Sequence, residues 1–77
     1  MADYAIVTGG SQGIGLAICR RLKQDGATPI IFDRVAPKES GLGEYRAVDL
    51  ADTAATAAAL EWALDGRTIS RLVNNVG

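Results

Sequence analysis

Histidine is absent from this chain, and cysteine occurs once, at Cys19. Without histidine, neither a zinc site nor a Ser–His or Cys–His nucleophile pair is expected. A single cysteine excludes an internal disulfide and suits a reducing compartment. No Gly-Lys-Ser or Gly-Lys-Thr tripeptide occurs, so the glycine-rich stretch near the start is not a P-loop. No charge of one sign dominates: eight Lys and Arg face nine Asp and Glu, for a net charge of −1. That balance argues against nucleic acid or an anionic membrane as the main partner. No apolar run approaches the ~20 residues of a membrane span. No basic segment precedes an apolar one at the N-terminus, so no secretory signal is expected and the cytoplasm is the expected location. With 77 residues the chain has room for one small domain of marginal stability.

What is present is organised around Thr8-Gly9-Gly10-Ser11-Gln12-Gly13-Ile14-Gly15. A short apolar run, Tyr4 to Val7, leads into it and reads as a buried strand. An amphipathic run leads out of it, and a helix is expected over Gly13 to Asp25. Strand, glycine turn and helix make a phosphate cradle. Glycines accept positive φ and leave room for a ligand, and the helix start offers free N–H groups and a favourable dipole. The spacing is G-x-x-x-G-x-G rather than G-x-G-x-x-G, and position 18 is Ile. An ordinary flexible turn is the alternative reading; the strand before and the helix after favour the cradle.

Along the first helix, Ile14, Ala17, Ile18 and Leu22 are expected to share the apolar face, with Gly26 as the cap. Pro29 to Phe32 read as a second strand ending at Asp33. Arg34 to Glu44 contain Pro37, Gly41 and Gly43 and read as a loop, where an alternating fold would usually place a helix. Tyr45 to Val48 read as a third, more polar strand at the sheet edge. Asp52 is placed to cap a helix over Thr53 to Leu64, with Ala57, Leu60, Glu61 and Leu64 on one face, Trp62 offset, and Asp65-Gly66 ending it. That helix lies in an alanine-rich stretch, which is compatible with helix rather than disorder. Ile69 to Val73 read as a fourth strand. This order implies a parallel α/β sheet with strand order 3-2-1-4 and a ligand crevice at the carboxyl ends.

Several side chains along that crevice carry chemistry. Ser11 and Gln12 can offer a hydroxyl, an amide and backbone N–H groups to phosphate or ribose. A carboxylate at Asp33 can accept both hydroxyls of an adenosine ribose and would repel a 2′-phosphate, which favours NAD over NADP. Arg34 points the other way, since arginine pairs with phosphate. Asp49 after the third strand can reach an adenine amino group, or simply close a turn. Asn74 and Asn75 end an apolar strand against strand propensity; their amides can tie neighbouring backbone together or line a cofactor wall. Cys19 lies within a helix and reads as packing, not as a nucleophile.

These motifs resemble those of the short-chain dehydrogenase/reductase family. The family carries T-G-x-x-x-G-I-G after strand one, matched by Thr8 to Gly15. Its NAD-preferring members carry an aspartate after strand two, matched by Asp33. An Asp-aliphatic pair near the adenine is matched by Asp49-Leu50. The family's N-N-A-G is matched by Asn74-Asn75-Val76-Gly77, with Val for Ala as the one departure. The resemblance spans nearly the whole chain. It implies part of a Rossmann-type domain, three-layered α/β/α when complete, with NAD as cofactor. It implies cofactor contacts at Gly9, Ser11, Gln12, Gly13, Ile14, Gly15, Asp33, Asp49, Leu50, Asn75 and Gly77.

Family members are longer, and their catalytic Ser and Tyr-x-x-x-Lys lie beyond the N-N-A-G motif. Tyr4 and Tyr45 have no lysine four residues on, so no catalytic role transfers to this chain. The expectation is the cofactor-binding, N-terminal portion of an NAD-dependent oxidoreductase acting on an alcohol or ketone. The remainder of the fold would come as a second chain, and the completed protein would form homo-oligomers. A non-catalytic nucleotide-binding module and a functionless truncated product are the alternatives.

Overall fold

The computed structural model describes residues 3–75. Strand β1 (Asp3–Thr8) is followed by helix α1 (Gly13–Gln24), β2 (Ala27–Asp33), β3 (Glu44–Ala47), helix α2 (Thr53–Leu64) and β4 (Ile69–Asn74). All four strands are parallel in one sheet of order β3-β2-β1-β4. The expected topology is therefore the observed one, with β3 at one edge and β4 at the other. Residues 34–43 form no helix.

The middles of the central strands, residues 5–7 and 29–32, are apolar and buried because both of their faces are covered. Ala5, Val7 and Ile31 pack with Cys19 and Leu22 of α1. The alternate residues Ile6, Ile30 and Phe32 pack with Ala59 and Ala63 of α2. A period of two puts neighbouring residues on opposite faces, so the two helices cover opposite sides of the sheet. β2 is longer than the sequence suggests and begins at Ala27 rather than Pro29. Pairing with β3 starts only at Ile30, so Pro29 lies in the part of β2 that pairs with β1 alone, with Gly43 packed against its other side.

Two helix faces differ from expectation. In α1 the buried residues are Gly15, Cys19 and Leu22, while Ile14 is 74% exposed and Ala17 is exposed. The helix is turned so that its two smallest inward residues meet the glycine turn. In α2 the buried residues are Ala59 and Ala63; Ala57, Glu61 and Leu64 are exposed. Alanines bring this helix close to the sheet, and the partly buried Leu60 and Trp62 pack along its flanks. The α2 bounds are as expected. Asp52 caps it by accepting from Ala55 N–H at 3.0 Å.

At the amino ends of the strands, Arg67 pins α2 to the sheet. It pairs with Glu44 at 2.5 Å, donates to the Trp62 carbonyl at 3.0 Å, and lies 4.6 Å from the Trp62 ring centre. The opposite rim, at the carboxyl ends, is thereby left to the loops.

Candidate functional site at the carboxyl rim

The turn between β1 and α1 is built on left-handed glycines. Gly9 has φ 67° and Gly13 has φ 61°, both in the region that side chains rarely adopt. A Cβ at Gly13 would meet nothing within 4 Å, so that position faces open space at the helix start. Gly15 is glycine for another reason. A Cβ there would lie 2.1 Å from the Gly9 carbonyl oxygen and 2.7 Å from Asn75 Nδ2. The missing side chain lets the first turn of α1 lie against the end of β1. Gln12 precedes the helix in extended conformation and makes no side-chain cap. The first i→i−4 bond runs from Leu16 N–H to the Gln12 carbonyl at 3.3 Å. The N–H groups before it have no partner within the helix, as an anion-binding helix start requires.

Asn75 and Thr8 tie β4 to this turn. The Asn75 side-chain amide donates to the Gly9 carbonyl at 3.2 Å, and its backbone N–H donates to Thr8 Oγ1 at 3.0 Å. The Thr8 hydroxyl is within reach of the Val73 carbonyl and Asn74 Oδ1, at 3.3 and 3.2 Å. Its single proton serves one of them at a time. Thr8 stands in the sequence motif without being singled out there as a site residue. Its role becomes visible only when residue 8 meets residues 73–75.

Asp33 ends β2 beside the same turn. Its carboxylate accepts from Ser11 N–H at 3.2 Å through Oδ2, and from Arg34 and Val35 N–H at 2.7 and 3.4 Å through Oδ1. Its backbone carbonyl accepts the Tyr45 hydroxyl at 3.1 Å and Val48 N–H at 3.0 Å. Ser11 is the one buried polar residue among those described, and its hydroxyl donates to the Val35 carbonyl. Gly9 N–H donates to the Phe32 carbonyl at 2.8 Å, completing the join between turn and strand.

Asp49 closes a turn: its carboxylate accepts from Ala51 N–H at 3.0 Å and its carbonyl from Asp52 N–H at 2.9 Å. It remains exposed. A cleft of about 290 Å³ runs between it and Asp33, lined by Arg34, Val48, Leu50 and Ala51 as well. Apolar walls with a carboxylate at each end suit a flat heterocycle attached to a sugar. The structure thus brings Gly9, Ser11, Gln12, Gly13, Ile14, Gly15, Asp33, Asp49, Leu50 and Asn75 to one rim. Gly77 lies outside the described residues. A second cleft, about 320 Å³, opens between α2 and the β1–β4 pair; it is lined by Ile6, Phe32, Leu60 and Leu72 among others.

Cys19 lies directly beneath the turn, with its thiol 3.7 Å from the Gly10 carbonyl. Burial pushes the thiol up from its ordinary 9.0 to about 11. Among the described residues no group of three His, Cys, Asp or Glu is placed to hold a metal. Nor is any described helix long and apolar enough to cross a membrane.

A sequence model of the short chain dehydrogenase family matches residues 3–77. The ligand-free aldohexose dehydrogenase of Thermoplasma acidophilum superimposes with a TM-score of 0.91 at 31% identity, over 99% of this chain and 30% of that one. A short chain dehydrogenase family protein from Francisella tularensis subsp. tularensis SCHU S4 gives 0.82 at 27% identity, over 100% and 31%. The Cj0485 dehydrogenase gives 0.82 at 32% identity, over 99% and 33%. The chain spans about a third of the length of these solved relatives.

Proposed function

The chain belongs to the short-chain dehydrogenase family, and from that premise we propose that it binds the adenosine and diphosphate half of NAD for an oxidoreductase. The observation that carries this reading is Asp33, whose carboxylate stands beside the glycine turn at the mouth of the Asp49–Leu50 cleft. The N–H groups around Gly13, Ile14 and Gly15 hold the diphosphate, with the helix dipole behind them. Gly9 and Gly13 provide the backbone path, and the absent side chain at Gly13 leaves the approach clear. Asp33 accepts the ribose hydroxyls and disfavours a 2′-phosphate by charge repulsion. Leu50 and Asp49 flank the adenine. Asn75 steadies the Gly9 carbonyl.

When bound, a nicotinamide cofactor supplies or accepts the hydride exchanged with an alcohol or ketone. The chain's own residues position it and contribute no catalytic acid or base, because no Tyr-x-x-x-Lys pattern occurs in the sequence. The catalytic serine, tyrosine and lysine come from a remainder of the fold, on a second chain or on further sequence, and the completed domain works as a homo-oligomer in the cytoplasm. Two features support a remainder of this kind. Among the described residues β4 pairs only with β1, and Leu72 beside the second cleft is 65% exposed.

Titration of NAD into the chain, followed calorimetrically, tests the binding role. Asp33→Ala and Gly13→Val should each weaken binding by about tenfold or more, the equivalent of one charge-assisted hydrogen bond. Unchanged affinity in both variants would refute the reading.

A further inference from the structure

Ser11 sits where a ligand-contacting hydroxyl is expected, yet its groups face inward. It is only 6% exposed. Its N–H donates to Asp33 Oδ2 and its hydroxyl to the Val35 carbonyl. A serine hydroxyl has one proton, so while that bond stands it has none to give to a phosphate or ribose. The two bonds grip the chain on either side of Arg34, the residue whose side chain stands next to the site of ribose recognition.

The segment after Arg34 is held from α1 as well. Arg20 pairs with Glu39 at 2.6 Å, Lys23 donates to the Gly41 carbonyl, and Leu42 is buried in the α1-side core. Residues 34–43 therefore form a strap across α1, and Ser11 fastens the strap's first residues to the glycine turn. The exposed Arg20–Glu39 pair is of the kind that contributes little by itself. The two bonds from Ser11, itself only 6% exposed, are the ties nearest Asp33.

We infer that Ser11 is a positioning residue for cofactor selectivity: it fixes Asp33 and Arg34 in the arrangement that favours a ribose 2′-hydroxyl over a 2′-phosphate. This rests on the nucleotide-binding role proposed above. With the hydroxyl removed, the Val35 carbonyl loses its partner and the backbone at residues 34–36 is released. Arg34 is then free to turn toward a 2′-phosphate, and Asp33 loses part of its alignment toward the two ribose hydroxyls.

The test compares wild type, Ser11→Ala and Ser11→Thr by titration with NAD and with NADP, alongside amide hydrogen exchange without nucleotide. In Ser11→Ala the preference for NAD over NADP should fall about tenfold, as loss of one positioning hydrogen bond allows. Exchange at Arg34 and Val35 should quicken, while the Ile30 and Ile31 amides stay protected. Ser11→Thr, which keeps the hydroxyl, should restore both. Equal weakening of the two nucleotides would mean that the hydroxyl touches the cofactor directly, and would overturn the inference. So would unchanged exchange at residues 34–35. If Ser11→Ala does not fold, Ser11→Thr with wild-type selectivity upholds the inference, and Ser11→Thr with lowered selectivity and wild-type exchange overturns it. If wild type binds neither nucleotide, the site itself is refuted and the selectivity role falls with it; the exchange comparison alone then decides whether Ser11 fastens the strap.

Discussion

Replacing a helical glycine by alanine usually stabilises a protein, by up to about 1 kcal/mol of helix propensity. Gly15 lies within α1, so propensity alone favours Gly15→Ala. The packing predicts the opposite sign. The added Cβ would stand 2.1 Å from the Gly9 carbonyl oxygen, 2.9 Å from its carbonyl carbon and 2.7 Å from Asn75 Nδ2. An ordinary carbon contact lies at about 3.5 Å or more, so a gap of roughly 1 Å or more must open. Two of the three obstacles are backbone atoms that cannot rotate aside. The start of α1 must therefore retreat from β1, or the Asn75–Gly9 hydrogen bond must break. Overpacking costs about 1–3 kcal/mol and a lost hydrogen bond about 1 kcal/mol, against the propensity gain of about 1 kcal/mol. The net expectation is destabilisation by about 1–3 kcal/mol, a large share of the ~3–5 kcal/mol that a core of this size supplies. Gly13→Ala is the control. It faces empty space, so only its φ of 61° opposes the methyl, at about 1–2 kcal/mol. Urea unfolding followed by the fluorescence of Trp62, the single tryptophan, gives both values. A Gly15→Ala chain as stable as wild type would show that α1 does not press on the glycine turn as described.

Two other perturbations address the elements around the rim. The raised Cys19 thiol means that folding favours the neutral form. The associated stability is complete below pH 9 and is lost as pH rises from 9.0 toward about 11, amounting to about 3 kcal/mol for two pH units. Urea midpoints should be flat up to about pH 8 and fall above pH 9, and Cys19→Ala should remove that fall; an identical alkaline decline in the variant would contradict the burial argument. Asp52→Ala removes the cap of α2 and should cost about 1 kcal/mol without changing the urea m-value. A loss below the error of the measurement would mean that α2 is held by its alanine face alone.

The parts of the fold that announce themselves in the sequence are those marked by local chemistry. Asp52 and Asp65-Gly66 bracket α2, and the helix runs between them as expected. Pro37, Gly41 and Gly43 forbid a regular helix in the β2–β3 connection, and none forms. The alternation of strands and helices implies the 3-2-1-4 order. Helix orientation is less legible. The spacing of apolar residues in α1 selects Ile14, Ala17, Ile18 and Leu22, but only Leu22 of these is buried, and the other inward positions are Gly15 and Cys19, which the spacing does not select. In α2, alanines occupy every side, so periodicity marks no face. The bonds that define the rim were also hidden, because they join residues far apart in sequence: 11 with 33 and 35, and 9 with 75.

Those long-range bonds bear on how the rim would work. Asn75 is bonded to Gly9, Ser11 to Asp33 and Val35, and Asp49 to Ala51 before any ligand arrives. A surface joined in this way is ordered by folding, so under the proposed role a nucleotide would meet groups whose rotamer entropy is already lost. Affinity and stability are then linked at the same residues. A variant that only removes a ligand contact leaves the unfolding of the free chain unchanged, whereas one that loosens the rim lowers both. Under the proposed nucleotide-binding role, Ile14, 74% exposed at the helix start, would belong to the first kind, and Gly15, pressed between Gly9 and Asn75, to the second. Comparing urea midpoints with nucleotide affinities across such variants separates the residues that touch a ligand from those that hold the touching residues in place.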